Sequence, residues 1–198
     1  MSHRAARVTW PHALDGQTGR ISRGTWVTVI VVSGAPGTGK STIAAALAAD
    51  LGWPLLALDT IKEALADVLG LGDEDWSNRV GDAAAEIVFR LSAQFEDAVA
   101  EGWWRGDRRA RALGEFAGAV EVFCRCDPQL AELRMRGRHV GRHPIHRDVI
   151  NPSVMESAAG LAATVTPLRL GAALVEVDTG APDAPAMAVA AAAAALGR

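Results

Sequence analysis

Residues Gly34-Ala35-Pro36-Gly37-Thr38-Gly39-Lys40-Ser41 constrain this chain more than any other stretch. They match the spacing G-x-x-x-x-G-K-[ST] and lie between an almost unbroken apolar, β-branched run at 26–33 and a segment in which Ile43, Ala46 and Leu47 recur at helical spacing. A strand that is apolar along its whole length suits a parallel sheet covered on both faces. Glycines between that strand and a helix let successive backbone N–H groups turn inward toward an anion, and the helix that begins near Lys40 adds the positive end of its dipole. In this geometry Lys40 neutralises charge between the β- and γ-phosphates, Ser41 offers its hydroxyl to Mg²⁺, and Thr42 is a supporting contact. The implied ligands are a nucleoside triphosphate and magnesium. ATP fits better than GTP, because a guanine-reading Asn-Lys-x-Asp loop is absent and neither Asn78 nor Asn151 precedes a lysine.

The rest of the chain alternates strand and helix signals. Residues 54–58 form a second short buried strand, and Thr60-Ile61-Lys62-Glu63 reads as a capping box opening a helix to about Leu69. The Gly- and Asp-rich residues 70–78 read as a loop, followed by a helix with Val80, Ala84, Ile87, Val88, Leu91 and Phe95 on one face. Residues 98–100 are a weak third strand and 120–124 a firmer fourth. Asp127-Pro128 pairs an N-cap with an N1 proline, starting a helix that reaches about Arg136. After a polar stretch come a helix opened by Ser153-x-x-Glu156, a fifth strand at 173–177 and an alanine-rich closing helix. Five strands alternating with helices predict an open, mostly parallel sheet in a three-layer α/β domain. That domain spans residues 24–198, and residues 1–23 form an N-terminal extension, ordered or not.

Composition narrows the classes of partner. At 198 residues the chain fits one domain, and 49% hydrophobic residues with a net charge of −3 suit neither a disordered polyelectrolyte nor a basic nucleic-acid coat. No apolar run approaches a membrane span, and residues 1–23 lack a continuous apolar signal core, so a cytoplasmic protein is expected. Cys124 and Cys126 read as small buried hydrophobes, because no second cysteine pair completes a metal site. Of 20 basic residues only Lys40 and Lys62 are lysines.

Three features together resemble the P-loop kinase group that includes chloramphenicol phosphotransferase, zeta toxins, and gluconate and shikimate kinases. They are the loop at 34–41, Asp59 at the end of the second strand with Thr-Ile-Lys-Glu after it, and the arginine-rich 127–138 segment, and the resemblance covers most of residues 26–178. It implies a five-stranded parallel sheet of order 2-3-1-4-5 with an arginine-rich lid at about 134–150. It also implies that Asp59 holds or deprotonates an acceptor hydroxyl, although an ordinary acid of the first helical turn would read the same way. Glu101, ending the third strand, takes the place of an acid near the metal in that architecture, beside Ser41, and could serve the acceptor instead. Trp103 and Trp104 form an aromatic wall for the acceptor or a packed pair. Five arginines and three histidines fall between Arg134 and Arg147. Arg134, Arg138 and Arg142 are the lid arginines that would close over the phosphoryl group, and His139 and His143 would order the lid or touch the acceptor; a solvated basic face is the plainer reading. Charge divides accordingly: residues 59–101 carry 11 acids and 3 bases, residues 105–147 carry 5 acids and 10 bases. The expected activity is ATP-dependent transfer of the γ-phosphoryl group to a hydroxyl of a small metabolite or antibiotic. A polynucleotide 5′-hydroxyl kinase and a non-catalytic, toxin-like ATP-binding module are the alternatives, the former disfavoured by the net charge. The oligomeric state is left open.

Overall fold

Strand β1 (Thr28–Ser33) is the middle of a five-stranded sheet, and four consecutive residues in it, Val29 to Val32, have no exposed surface at all. Each such side chain contributes about 1.5–3 kcal/mol of burial. The computed structural model describes residues 28–104, 119–138, 141–146, 152–170 and 173–198, and the side chains of 152–157 are not described. The N-terminal extension at 1–23, residues 26–27 of the expected first strand, His139 and residues 147–150 of the expected lid lie outside the described residues.

After β1 come α1 (Lys40–Leu51), β2 (Leu55–Ala57), α2 (Leu58–Leu69), α3 (Glu74–Ser92), β3 (Asp97–Glu101), β4 (Val120–Arg125), α4 (Pro128–Gly137), α5 (Pro152–Thr164), β5 (Ala173–Asp178) and α6 (Ala184–Ala195). All four strand pairs are parallel and the order is β2-β3-β1-β4-β5, as the resemblance implied. Alternation along β1 splits the core. Ile30 and Val32 join Ile43, Leu47, Ala188 and Ala192 beneath α1 and α6, whereas Val29 and Val31 join Ala85, Val88, Ala98 and Trp104 beneath α3. Among the described residues no helix is long and apolar enough to cross a membrane.

Three local expectations are corrected. Helix α2 begins at Leu58 directly after Ala57, with no capping side chain, so Asp59 lies in its first turn and Thr60 is not a cap. Strand and helix join there without a linker. The expected loop at 70–78 ends at Asp73, whose carboxylate accepts the Trp76 N–H at 2.8 Å and opens α3 on Glu74 and Asp75, acids suited to the helix dipole. Phe95 falls beyond the end of α3 and is 37% exposed rather than on its buried face. Asp127 caps α4 as expected, accepting from the Gln129 and Leu130 N–H groups, with Pro128 at the first helical position.

One carboxylate lies inside the sheet. Glu121 on β4 is 1% exposed; its Oε1 accepts from Ser33 Oγ and from the Leu168 N–H, each at 2.7 Å, and its Oε2 from the Arg169 N–H at 3.0 Å. It thereby fastens the connection between α5 and β5 to the last residue of β1. Arg169 (φ 54) is the one non-glycine residue with positive φ among the described residues, a conformation that costs roughly 1–2 kcal/mol and is held by this bond. Replacing Glu121 by Ala leaves three donors without their acceptor, the buried Ser33 hydroxyl and the part-buried N–H groups of Leu168 and Arg169. It is expected to lower the unfolding free energy by about 3 kcal/mol in urea titration, and a loss below about 1 kcal/mol would mean that water satisfies them.

Candidate active site

The loop between β1 and α1 is pressed against its neighbours. Gly34 (φ 138), Gly37 (φ 81) and Gly39 (φ 77) all adopt left-handed backbone, and a β-carbon on Gly34 or Gly37 would collide with the carbonyl oxygens of Cys124 and Ala131. Glycine is required twice over at these two positions, by conformation and by space. Thr38 Oγ1 donates to the Ala35 carbonyl at 2.7 Å, and Lys40 Nζ donates to the same oxygen at 3.0 Å. Gly39 caps α1 without a side chain, and the Thr42 and Ile43 N–H groups close onto its carbonyl, which leaves the N–H groups of Lys40 and Ser41 at the head of the helix for an anion.

Lys40 and Glu101 form the electrostatic centre. Burial pushes the Lys40 amine below its ordinary pKa against the pull of Glu101 and Asp59, and burial pushes the Glu101 carboxyl up against the pull of Lys40. Two opposite charges each displaced toward neutrality mean that desolvation outweighs their attraction. An incoming phosphate would oppose that penalty for Lys40, and a cation would do so for Glu101. Ser41 Oγ stands 3.5 Å from Glu101 Oε1, giving two hard oxygen ligands side by side. The described residues hold no cluster of three or more His, Cys, Asp or Glu able to ligate a metal. A cation here would therefore draw its remaining ligands from phosphate and water, which suits Mg²⁺.

Asp59 reaches this centre from the first turn of α2 and acts on both Lys40 and Glu101. Its carboxylate is half exposed and lies 3.5 Å from Arg142 Nη2. The same face of α2 carries Glu63 and Asp67, at i+4 and i+8 from Asp59, and each meets the 141–146 segment. His146 Nε2 is 2.7 Å from Glu63 Oε1, and His143 Nε2 is 3.1 Å from Asp67 Oδ1. His143 Nδ1 accepts the Ile145 N–H, which leaves the ring proton of a neutral His143 on Nε2, facing Asp67. Ile145 is buried, and its carbonyl accepts from Ser77 Oγ at 2.9 Å, which in turn accepts from Lys62 Nζ at 3.0 Å.

The expected lid arginines thus occupy three different places. Arg138 lies within electrostatic range of both Lys40 and Glu101. Arg142 lies on Asp59, and Arg134 donates to the Thr179 side chain and carbonyl, at 3.0 and 2.8 Å. A wholly solvated basic face does not describe 141–146, where Ile145 and His146 are 2% and 7% exposed. Trp104 is core, with its indole N–H unpartnered, and Trp103 is half-buried. Cys124 and Cys126 are both free and buried, as read from the sequence, and burial pushes the Cys124 thiol up to about 12. Sequence reasoning missed Glu63, His146 and Thr179. Glu63 and Asp67 were legible as a helical acid stripe, but nothing local links them to residues about eighty positions on.

A family model described as an AAA domain matches residues 29–151. Among solved structures, a candidate kinase from Chloroflexus aurantiacus J-10-fl is 31% identical over 82% of this chain and 95% of its own, with a TM-score of 0.72. A gluconokinase from Sinorhizobium meliloti 1021 (22% identity, 87% and 93% coverage, TM-score 0.56) and a shikimate kinase from Acinetobacter baumannii in complex with shikimate (17%, 87% and 95%, 0.62) share the fold. No curated protein matches the sequence.

Burial lowers the His146 pKa below its ordinary 6.5, against the fields of Asp59 and Glu63 on α2 and with that of Arg142 beside it. A histidine depressed in the folded state contributes stability that is full above pH 6.5 and is lost as pH falls through the lowered value. Ring titration followed by NMR should place His146 below 6.5, and His146→Asn should flatten the thermal-stability profile on the acid side of that pH. A titration at or above 6.5 contradicts the burial argument.

Proposed function

We propose, from the premise that this chain belongs to the AAA-domain family, that it is an ATP-dependent phosphotransferase acting on a hydroxyl of a small molecule. The observation that carries this reading is the gathering of Lys40, Glu101, Asp59 and Arg138 around the glycine loop, two acids and two bases within electrostatic range of one another, with Ser41 Oγ 3.5 Å from Glu101 Oε1. The kinase-like fold, and the gluconokinase and shikimate kinase that share it, support the same class.

ATP enters with its phosphates along residues 34–42, against the loop N–H groups and the start of α1. Lys40 leaves the Ala35 carbonyl for the phosphate oxygens. Ser41 and Glu101 would hold Mg²⁺, which would supply positive charge to offset that of the phosphates. Asp59 orients the acceptor hydroxyl and takes its proton as the oxygen attacks the γ-phosphorus; the bond to the β-γ bridging oxygen breaks and ADP leaves. Arg138 opposes the charge spread over the transferring group. Arg142 must leave Asp59 before an acceptor can take its place.

An ATP-coupled screen over sugars, nucleosides, amino alcohols and antibiotics tests the reading. ADP release stimulated by a hydroxylated small molecule supports it, and stimulation by oligonucleotides alone overturns it. With an acceptor in hand, Lys40→Ala is expected to abolish turnover while leaving the circular dichroism spectrum unchanged. Asp59→Asn should lower kcat by roughly 10²–10⁴ with Mg·ATP affinity within a few-fold of the parent, and an unchanged rate would reduce Asp59 to an acid of the first helical turn.

A further inference from the structure

The Thr179 side chain, just past the end of β5, is where three segments remote in sequence meet. It is 7% exposed, and its Oγ1 lies 2.8 Å from the Thr38 carbonyl oxygen, 3.3 Å from that of Arg125 and 3.0 Å from Arg134 Nη1. Its own N–H and carbonyl are also engaged, the N–H with the Arg125 carbonyl and the carbonyl with Arg134 Nη2, both at 2.8 Å. Proton accounting makes the arrangement directional. A guanidinium can only donate, so Oγ1 accepts from Arg134 and its single proton is left for a carbonyl. Thr38, the nearer of the two, receives it.

That bond sets a peptide plane. In a trans peptide the carbonyl and the following N–H point in opposite directions, and no peptide among the described residues is cis. With the Thr38 carbonyl turned outward to Thr179, the Gly39 N–H turns inward, to the side where the loop would hold phosphate. The loop rests directly on the threonine: a β-carbon on Gly39 would stand 3.3 Å from Thr179 Oγ1 and 3.4 Å from Arg134 Nη1.

We propose that Arg134 and Thr179 form a donor relay that fixes the Thr38–Gly39 peptide with its N–H facing the nucleotide, making Thr179 a positioning residue for phosphate binding. The proposal rests on the reading that this loop binds ATP, and it gives Arg134 work distinct from that of Arg138. Arg134 braces the loop from outside through Thr179.

Two measurements on the full chain test it: the Gly39 amide resonance without nucleotide, and calorimetric affinity for Mg·ATP. Thr179→Val keeps the side-chain volume and removes the hydroxyl, and it should move the Gly39 amide resonance and weaken Mg·ATP about tenfold, the effect of one lost hydrogen bond. Thr179→Ser restores the hydroxyl and should return both to near the parent, whereas a purely packing role for the methyl group, which Val keeps and Ser lacks, predicts a parent-like Val variant and a defective Ser variant. Parent-like values in Thr179→Val, or failure of Ser to rescue, overturn the relay. If the parent protein does not bind Mg·ATP, the phosphotransferase reading falls while the Gly39 resonance still decides the relay.

Discussion

The phosphate loop has no room of its own. Gly34 is pressed against the carbonyl of Cys124 at the end of β4, and Gly37 against that of Ala131 in α4. Main chain meets main chain at both points, so neither contact can be relieved by a side chain moving aside. The loop takes its shape from what surrounds it, and the surroundings must be exact in position before the shape exists. The displaced proton affinities of Lys40 and Glu101 follow from the same crowding, since a loop packed against β4 and α4 leaves little solvent around either group. The left-handed glycine backbones, the buried lysine and the raised carboxyl are one circumstance seen at three places.

Much of this was legible in the order of residues. The loop announced itself by spacing and by the apolar run before it, and Asp127-Pro128 announced α4 by two residues whose preferences agree. The alternation of strand and helix gave a parallel sheet, and the resemblance gave its order. Where the reading went astray, local chemistry had a competing voice. Thr60 and Glu63 have the spacing of a capping box, yet Ala57 passes straight from strand to helix and Glu63 is occupied by His146. Glycine and aspartate at 70–75 suggested a loop, although Asp73 with two acids after it is itself a helix start. Glu121 was visible as a lone acid in an apolar strand, and a carboxylate there implies donors brought to it, but their identity, the N–H groups of Leu168 and Arg169, belongs to tertiary structure.

The basic segment illustrates the limit most clearly. From composition, residues 134–147 are a cluster of positive charge and residues 59–101 a cluster of negative charge. Long-range pairing turns two opposed clusters into one packed interface, with Asp59, Glu63 and Asp67 spaced along α2 to meet Arg142, His146 and His143. Part of the charge division is thereby met within the chain, by these three pairs. Exposed members such as Asp67 contribute little stability individually; what holds the segment is the burial of Ile145 and the hydrogen bond from Ser77.

The bond between Thr38 and Thr179 joins residues 141 positions apart. A ribosome that has made the first hundred and seventy residues has therefore delivered the whole glycine motif and not yet the group that orients it. Contacts of such sequence separation form late, after the loop-closure entropy of the intervening chain has been overcome. Nucleotide affinity in this protein consequently belongs to the completed sheet rather than to the motif. By linkage, a ligand bound at the loop would stabilise the completed sheet, β5 included, and not β1 alone.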